Sequence, residues 1–106
     1  MIARNVTMRL KANSVTDFTR TLEKEVLPLL RKQTGFEDEI AFVGPAGREA
    51  VGISFWDKQE NADAYSRGSY AEVLKALAKV LDGTPQVQTW DVCNSTVHKI
   101  AASVAA

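Results

Sequence analysis

At 106 residues the chain is one domain by size, and its 45% apolar and 25% charged residues are ordinary for a globular protein. Thirteen basic residues against thirteen acidic ones leave no net charge, so no long-range field draws the chain to nucleic acid or anionic lipid. A single cysteine, Cys93, excludes an internal disulfide, no run approaches the ~18 apolar residues of a membrane span, and the first residues lack a signal-peptide core, so the expected compartment is the cytoplasm.

Ala3 to Leu10 alternates, with Val6, Met8 and Leu10 on one face and Asn5, Thr7 and Arg9 on the other, the period of a half-buried strand. Ser14 with Asp17 makes an N-cap signature. Val15, Phe18, Leu22, Val26, Leu29 and Leu30 then recur at helical spacing up to the terminator Gly35. Pro28 sits inside this run, has no N–H for residue 24, and is expected to kink the helix while packing continues beyond it.

Phe36 to Val43 reads as a second strand with Phe36, Ile40 and Phe42 in register. GPAG at 44 to 47 is a turn, and Ala50 to Trp56 is the returning strand of a hairpin. On this third strand Val51, Ile53 and Phe55 share one face, and Gly52, Ser54 and Trp56 the other.

Asp57 with Glu60 is a capping box that starts a short helix ended by Gly68. Ser69 with Glu72 is another, opening a helix whose apolar stripe is Tyr70, Val73, Leu74, Leu77, Val80 and Leu81, closed by Gly83 and Pro85. Gln86 to Asn94 is the fourth strand, and residues 95 to 106 form a tail expected to add a short strand or dock on a partner subunit.

The order β-α-β-β-α-β over residues 1 to 94 is the ferredoxin-like split pattern, an α+β fold in which the helices cover one face of an antiparallel sheet and the other face stays open. Placing Val51, Ile53 and Phe55 under the helices sends Ser54 and Trp56 to the open face, beside Asn5, Thr7 and Arg9. A bare tryptophan there calls for cover by a second copy or a ligand.

Asn5 on the opening strand, Gly35-Phe36 at the start of the second, SFW at 54 to 56 before an acidic, alanine-containing helix start, and Tyr65 together resemble the antibiotic biosynthesis monooxygenase family over nearly the whole chain. The resemblance implies a dimeric α+β barrel, a homodimer formed through the open sheet face, and a cavity for a small molecule. It also implies activities that vary among members: cofactor-independent oxidation of polyketide phenols by dioxygen, haem degradation, or small-molecule handling without assigned chemistry.

Under the oxygenase reading a deprotonated, electron-rich phenol itself reduces dioxygen, so the protein needs no metal or flavin and must bind, orient and desolvate the substrate. Asn5 and Trp56 are then the candidate catalytic pair, and Arg9, Ser54 and Tyr65 the candidate substrate-binding residues. Each also has a plainer role in packing or strand-end hydrogen bonding. Haem chemistry in relatives of this fold uses a histidine of the last helix, and Tyr70 to Asp82 contains none; the only histidine, His98, lies in the tail. One His and one Cys do not make a zinc site, and the strands lack the aromatic, basic signature of an RNA-recognition module. The rival from another class is a non-catalytic ligand-binding or stress-response dimer.

Overall fold

The computed structural model describes residues 1–98. Strands β1 (Ile2–Arg9), β2 (Phe36–Val43), β3 (Glu49–Trp56) and β4 (Gln86–Asp91) form one antiparallel sheet in the order β2-β3-β1-β4. Helix α1 runs through Val15–Thr21, a π turn at Leu22–Val26 and Leu27–Arg31; α2 is Gln59–Arg67 and α3 is Tyr70–Leu77. The core lies between the helices and one sheet face, where Met8, Leu10, Phe18, Val26, Leu30, Trp56, Tyr65, Val73 and Leu77 are buried. The ferredoxin-like α+β architecture is therefore as expected from the chain order.

The break in α1 takes a particular form. Pro28 cannot donate to the carbonyl four residues back, and its ring crowds that carbonyl. The helix absorbs this in the turn before the proline, where Leu27 N–H bonds to Leu22 O, five residues back. A π turn widens the helix without ending it. The expected capping boxes do not form: Asp57 accepts from the Asn61 amide at 2.8 Å, and Ser14 Oγ donates to Ala12 O at 3.3 Å. Neither Lys58 before α2 nor Ser69 before α3 makes a side-chain cap.

The strand registers correct one expectation. Residues paired across neighbouring strands project to the same face, and β1 sets Ile2 against Trp56, Arg4 against Ser54 and Met8 against Ala50. With Met8 and Leu10 under the helices, Ala50, Gly52, Ser54 and Trp56 must be there too. Trp56 is 0% exposed. Val51, Ile53 and Phe55 occupy the open face instead, the reverse of the arrangement inferred from their apolar stripe.

β2 is also split. Phe36 pairs with Trp56, but the next paired residue is Asp38, opposite Phe55, so Glu37 is an extra residue in a β-bulge. The bulge changes the face: Phe36 packs inside against Trp56, with ring centroids 5.7 Å apart, while Ile40 and Phe42 lie outside. Gly35 precedes it at φ +82°, where a Cβ would collide with the Asp57 carboxylate and the Asn61 side chain. Glycine alone suits that position.

Candidate functional site

Two surfaces follow from this arrangement. Under the helices, one row crosses the sheet from Glu39 through Ser54 to Arg4, each paired with the next across β2, β3 and β1. Above the row Gly52 leaves the strand without a side chain, so a gap opens toward Leu22, Val26 and Leu30 of α1 and Val73, Leu74 and Leu77 of α3. The resulting cleft measures about 50 Å³, is lined mostly by apolar atoms, and takes its polar character from Arg4, Glu39, Ser54, Tyr65 and Tyr70. That volume holds a few water molecules. The π turn of α1 contributes Leu22 and Val26 to its wall, so the proline-induced widening lies at the site.

Trp56 does not line this cleft but backs two of the residues that do, Ser54 and Tyr65. Its indole stacks on Tyr65 with centroids 5.0 Å apart and an interplanar angle of 27°, and its Nε1–H donates to Ser54 Oγ at 2.8 Å. The hydrogen bond satisfies the indole donor in a dry environment and fixes the Ser54 rotamer. Ser54 still carries its own hydroxyl proton.

Arg4 is the least expected member. It is 3% exposed, donates through Nε to Ser66 Oγ at 2.8 Å, and holds its guanidinium carbon 4.0 Å from the Tyr70 ring centroid and 5.1 Å from that of Tyr65. Cation–π contacts with two rings offset part of the cost of burying the charge. Burial pushes the Tyr65 phenol up to about 12; the neighbouring Arg4 charge pulls it down and Tyr70 raises it further. At neutral pH Tyr65 is therefore a hydrogen-bond donor and not a base. The Glu39 carboxyl is raised above its ordinary value, first by burial and then by the adjacent Asp38 charge.

The residues named from the sequence fall on both sides of the sheet. Ser54 and Tyr65 come together in the cleft with Trp56 behind them. Asn5 and Arg9 do not join them. Asn5 lies on the open face between Ile53 and Gln88, donating to Thr7 Oγ1 at 3.3 Å, and Arg9 is exposed on the same side, opposite Glu49. Asn5 and Trp56 thus do not converge, because the face assigned to Trp56 was the wrong one. Arg4 and Glu39 went unnoticed, although Arg4 shares the parity of Met8 and so could have been placed inside from the sequence.

The open face is the second surface. Ile40, Phe42 and Trp90 are 45%, 52% and 55% exposed there, around Val51, Ile53 and Phe55. His98 reaches back onto it: its ring lies 5.3 Å from that of Phe55, and its Nε2 lies 3.4 Å from Asp38 Oδ2. The histidine therefore sits across the sheet from the cleft. The rest of the expected tail, from residue 99 to 106, lies outside the described residues. Among the described residues no three His, Cys, Asp or Glu side chains gather as a metal site, and no helix is long and apolar enough to cross a membrane.

No protein-family model matches the chain, and no curated protein sequence does either. Solved structures do. A Bordetella bronchiseptica protein provisionally named as an antibiotic biosynthesis monooxygenase superposes with a TM-score of 0.74 at 16% identity, over 86% of this chain and 95% of that one. SnoaB, a cofactor-independent oxygenase from Streptomyces nogalater, gives 0.72 at 11% identity over 90% and 95%. The ActVA-Orf6 monooxygenase of Streptomyces coelicolor, solved with nanaomycin D, gives 0.67 at 20% identity over 84% of each chain. The chain thus has the fold of the antibiotic biosynthesis monooxygenases, as the resemblance in its sequence implied.

Proposed function

We propose that this chain is a cofactor-independent monooxygenase that acts on a small aromatic phenol in the cleft beneath its helices, as a cytoplasmic homodimer joined through the open sheet face. The observation that carries the reading is the apolar cleft with Glu39, Ser54, Tyr65 and Arg4 set into it, in a fold shared with oxygenases that use no cofactor. The apolar walls hold and desolvate a ring; the few polar groups orient its oxygens.

In that chemistry the substrate is its own reductant. A phenol loses its proton, and the phenolate passes one electron to dioxygen. The radical pair recombines at a ring carbon as a peroxide, which takes up a proton and then loses water as the ring carbon gives up its hydrogen. One oxygen atom stays on the ring as a quinone carbonyl and the other leaves in water, so phenol plus dioxygen balances quinone plus water. Glu39 is the group to accept the phenol proton, since burial raises its basicity above that of an ordinary carboxylate. Ser54 and neutral Tyr65 donate hydrogen bonds to the developing oxyanion. Trp56 acts as a positioning residue, holding Ser54 and Tyr65 from behind. Asn5 and Arg9 belong to the dimer face in this reading.

Oxygen consumption with a panel of one- to three-ring hydroxylated phenols, without added metal or flavin, tests the enzyme. Uptake that falls at least tenfold in Glu39→Gln and Ser54→Ala supports it. No uptake above buffer, or uptake indifferent to both substitutions in folded protein, removes it. The small volume of the cleft favours one second reading, a dimer that binds a small molecule without transforming it; ligand binding with no oxygen uptake supports that instead.

The exposed Ile40, Phe42 and Trp90 support the homodimer. Solution mass at micromolar concentration tests it: the wild type is expected at twice the chain mass and Phe42→Asp at the chain mass. A monomeric wild type removes the dimer.

A further inference from the structure

Arg4 is a buried cation without a counterion. Among the described residues no carboxylate lies within 4.0 Å of its guanidinium and only Nε–H is bonded, to Ser66 Oγ; no sealed polar atom there lacks a partner, so the remaining N–H groups keep access to the cleft or solvent. The Tyr70 and Tyr65 rings meet part of its electrostatic demand. Such contacts contribute far less than the several kcal/mol lost when an ion leaves water.

Glu39 does not complete the pair. It stands two strands away, which puts the two backbones about 10 Å apart, and its carboxyl is shifted toward the neutral form by burial and Asp38, not stabilised as an anion. Between them, on the middle strand, Ser54 keeps a free hydroxyl proton because its oxygen accepts from Trp56. Beside it Gly52 contributes no side chain, and a Cβ there would meet only Met8 Cε, at 3.5 Å. The Arg4 guanidinium, the Ser54 hydroxyl and a bare glycine thus border one small, mostly apolar space that Glu39, Tyr65 and Tyr70 also line.

We infer that the cleft binds a small aromatic carboxylate, its carboxylate received by the free edge of the Arg4 guanidinium and by the Ser54 hydroxyl, and its ring held among Val6, Leu22, Val26 and Leu77. This rests on the reading of the cleft as the ligand site and narrows the phenol to a phenolic acid. A planar guanidinium with two parallel N–H groups matches the fork of a carboxylate, which a neutral phenol cannot supply. A permanent negative charge on the ligand also gives the buried cation the partner that the chain itself withholds. Because the free cleft is only about 50 Å³, binding must part the α1 and α3 side chains, and a one-ring acid demands least of this.

Isothermal titration of the full chain with 4-hydroxybenzoate and with its neutral methyl ester separates charge from ring. The acid is expected to bind wild type at least tenfold more tightly than the ester, and Arg4→Met is expected to remove that preference by weakening the acid at least tenfold more than the ester. Thermal unfolding of Arg4→Met should not fall below wild type, since an apolar side chain of similar length replaces a charge buried without a counterion. Arg4→Lys serves as a second variant: it keeps the charge but not the fork, and should retain only part of the preference. Equal affinities of wild type for acid and ester, an acid preference that survives in Arg4→Met, or no binding of either probe at millimolar concentration overturns the inference. Binding is read separately from oxygen uptake. Acid binding without turnover keeps this inference and removes the oxygenase, whereas turnover of neutral phenols that is indifferent to Arg4→Met does the opposite.

Discussion

The two tryptophans offer the sharpest test of the sheet's orientation, because Trp56 is 0% exposed beneath the helices and Trp90 is 55% exposed on the open face. Trp56→Ala removes a fully buried indole, its stacking on Tyr65, its edge contact with Phe36 and its hydrogen bond to Ser54 Oγ. Large aromatic truncations in packed cores cost about 3 to 5 kcal/mol, and this site belongs near the top of that range because a hydrogen bond goes with the ring. For a domain of this size each kcal/mol moves the midpoint by about 4 to 8 °C, so a fall of roughly 15 to 40 °C is expected. Much of the total stability of an ordinary domain would be gone.

Urea melts at several protein concentrations measure the effect while exposing any contribution from association. Trp56→Phe, which keeps the ring contact and loses only the indole donor and part of the volume, should cost about 1 to 3 kcal/mol. Trp90→Ala should leave the stability of the monomer within about 0.5 kcal/mol of wild type. Iodide quenching gives an independent reading: Trp90→Phe leaves Trp56 as the sole indole, protected, while Trp56→Phe leaves an indole that is quenched in monomeric protein. A Trp56→Ala protein within about 1 kcal/mol of wild type, or a Trp56 quenched as readily as Trp90, would refute the assignment of faces.

Gly52→Val should keep the fold, since the added Cβ meets only Met8 Cε at 3.5 Å, yet fill the cleft; circular dichroism should be unchanged while binding of 4-hydroxybenzoate is lost. Gly35→Ala should destabilise by about 2 kcal/mol or more in a denaturant melt, because φ +82° is strained for any L side chain and the new methyl strikes Asp57 and Asn61. For Glu39 the folded chain favours the protonated carboxyl, so it binds that proton more tightly than the unfolded chain does. Stability of wild type should then decline relative to Glu39→Gln as pH rises from the ordinary 4.5 through the raised folded value, and level off above it; parallel melts between about pH 4 and 8 check the sign, and a wild type that gains on Glu39→Gln over that range contradicts it.

The chain order and the alternation of β1 were enough to place the elements, the two-layer architecture and the face of Asn5 and Arg9. The face of β3 was misread for a physical reason. Alternation identifies a buried face only when the other is wet, and here both stripes are apolar: Val51, Ile53 and Phe55 on one side, Ala50 and Trp56 on the other. What decides between them is pairing with β1, a long-range fact that no local pattern carries. The bulge at Glu37 was equally hidden, because one extra residue between Phe36 and Asp38 leaves no mark in composition. Pro28 did announce a disturbance in α1, but whether a helix answers with a bend or a π turn depends on what its widened side packs against.

The sizes of the β3 side chains carry a further signal about function. A two-layer domain that only needed stability would put its larger strand residues against the helices and its smaller ones outward. β3 does the opposite over most of its length: Ala50, Gly52 and Ser54 face the helices, and Val51, Ile53 and Phe55 face away. Small residues there cost packing contacts that larger ones would supply. The space they leave is the cleft, and the same strand's outward stripe lies with the exposed Ile40, Phe42 and Trp90 on the face through which we propose the homodimer forms. A run of small residues on one parity and large apolar ones on the other thus suits a strand that borders a cavity on its inner side and a partner on its outer side. Trp56, the large exception on the inner parity, does not line the cavity but holds two residues that do, Ser54 by a hydrogen bond and Tyr65 by stacking.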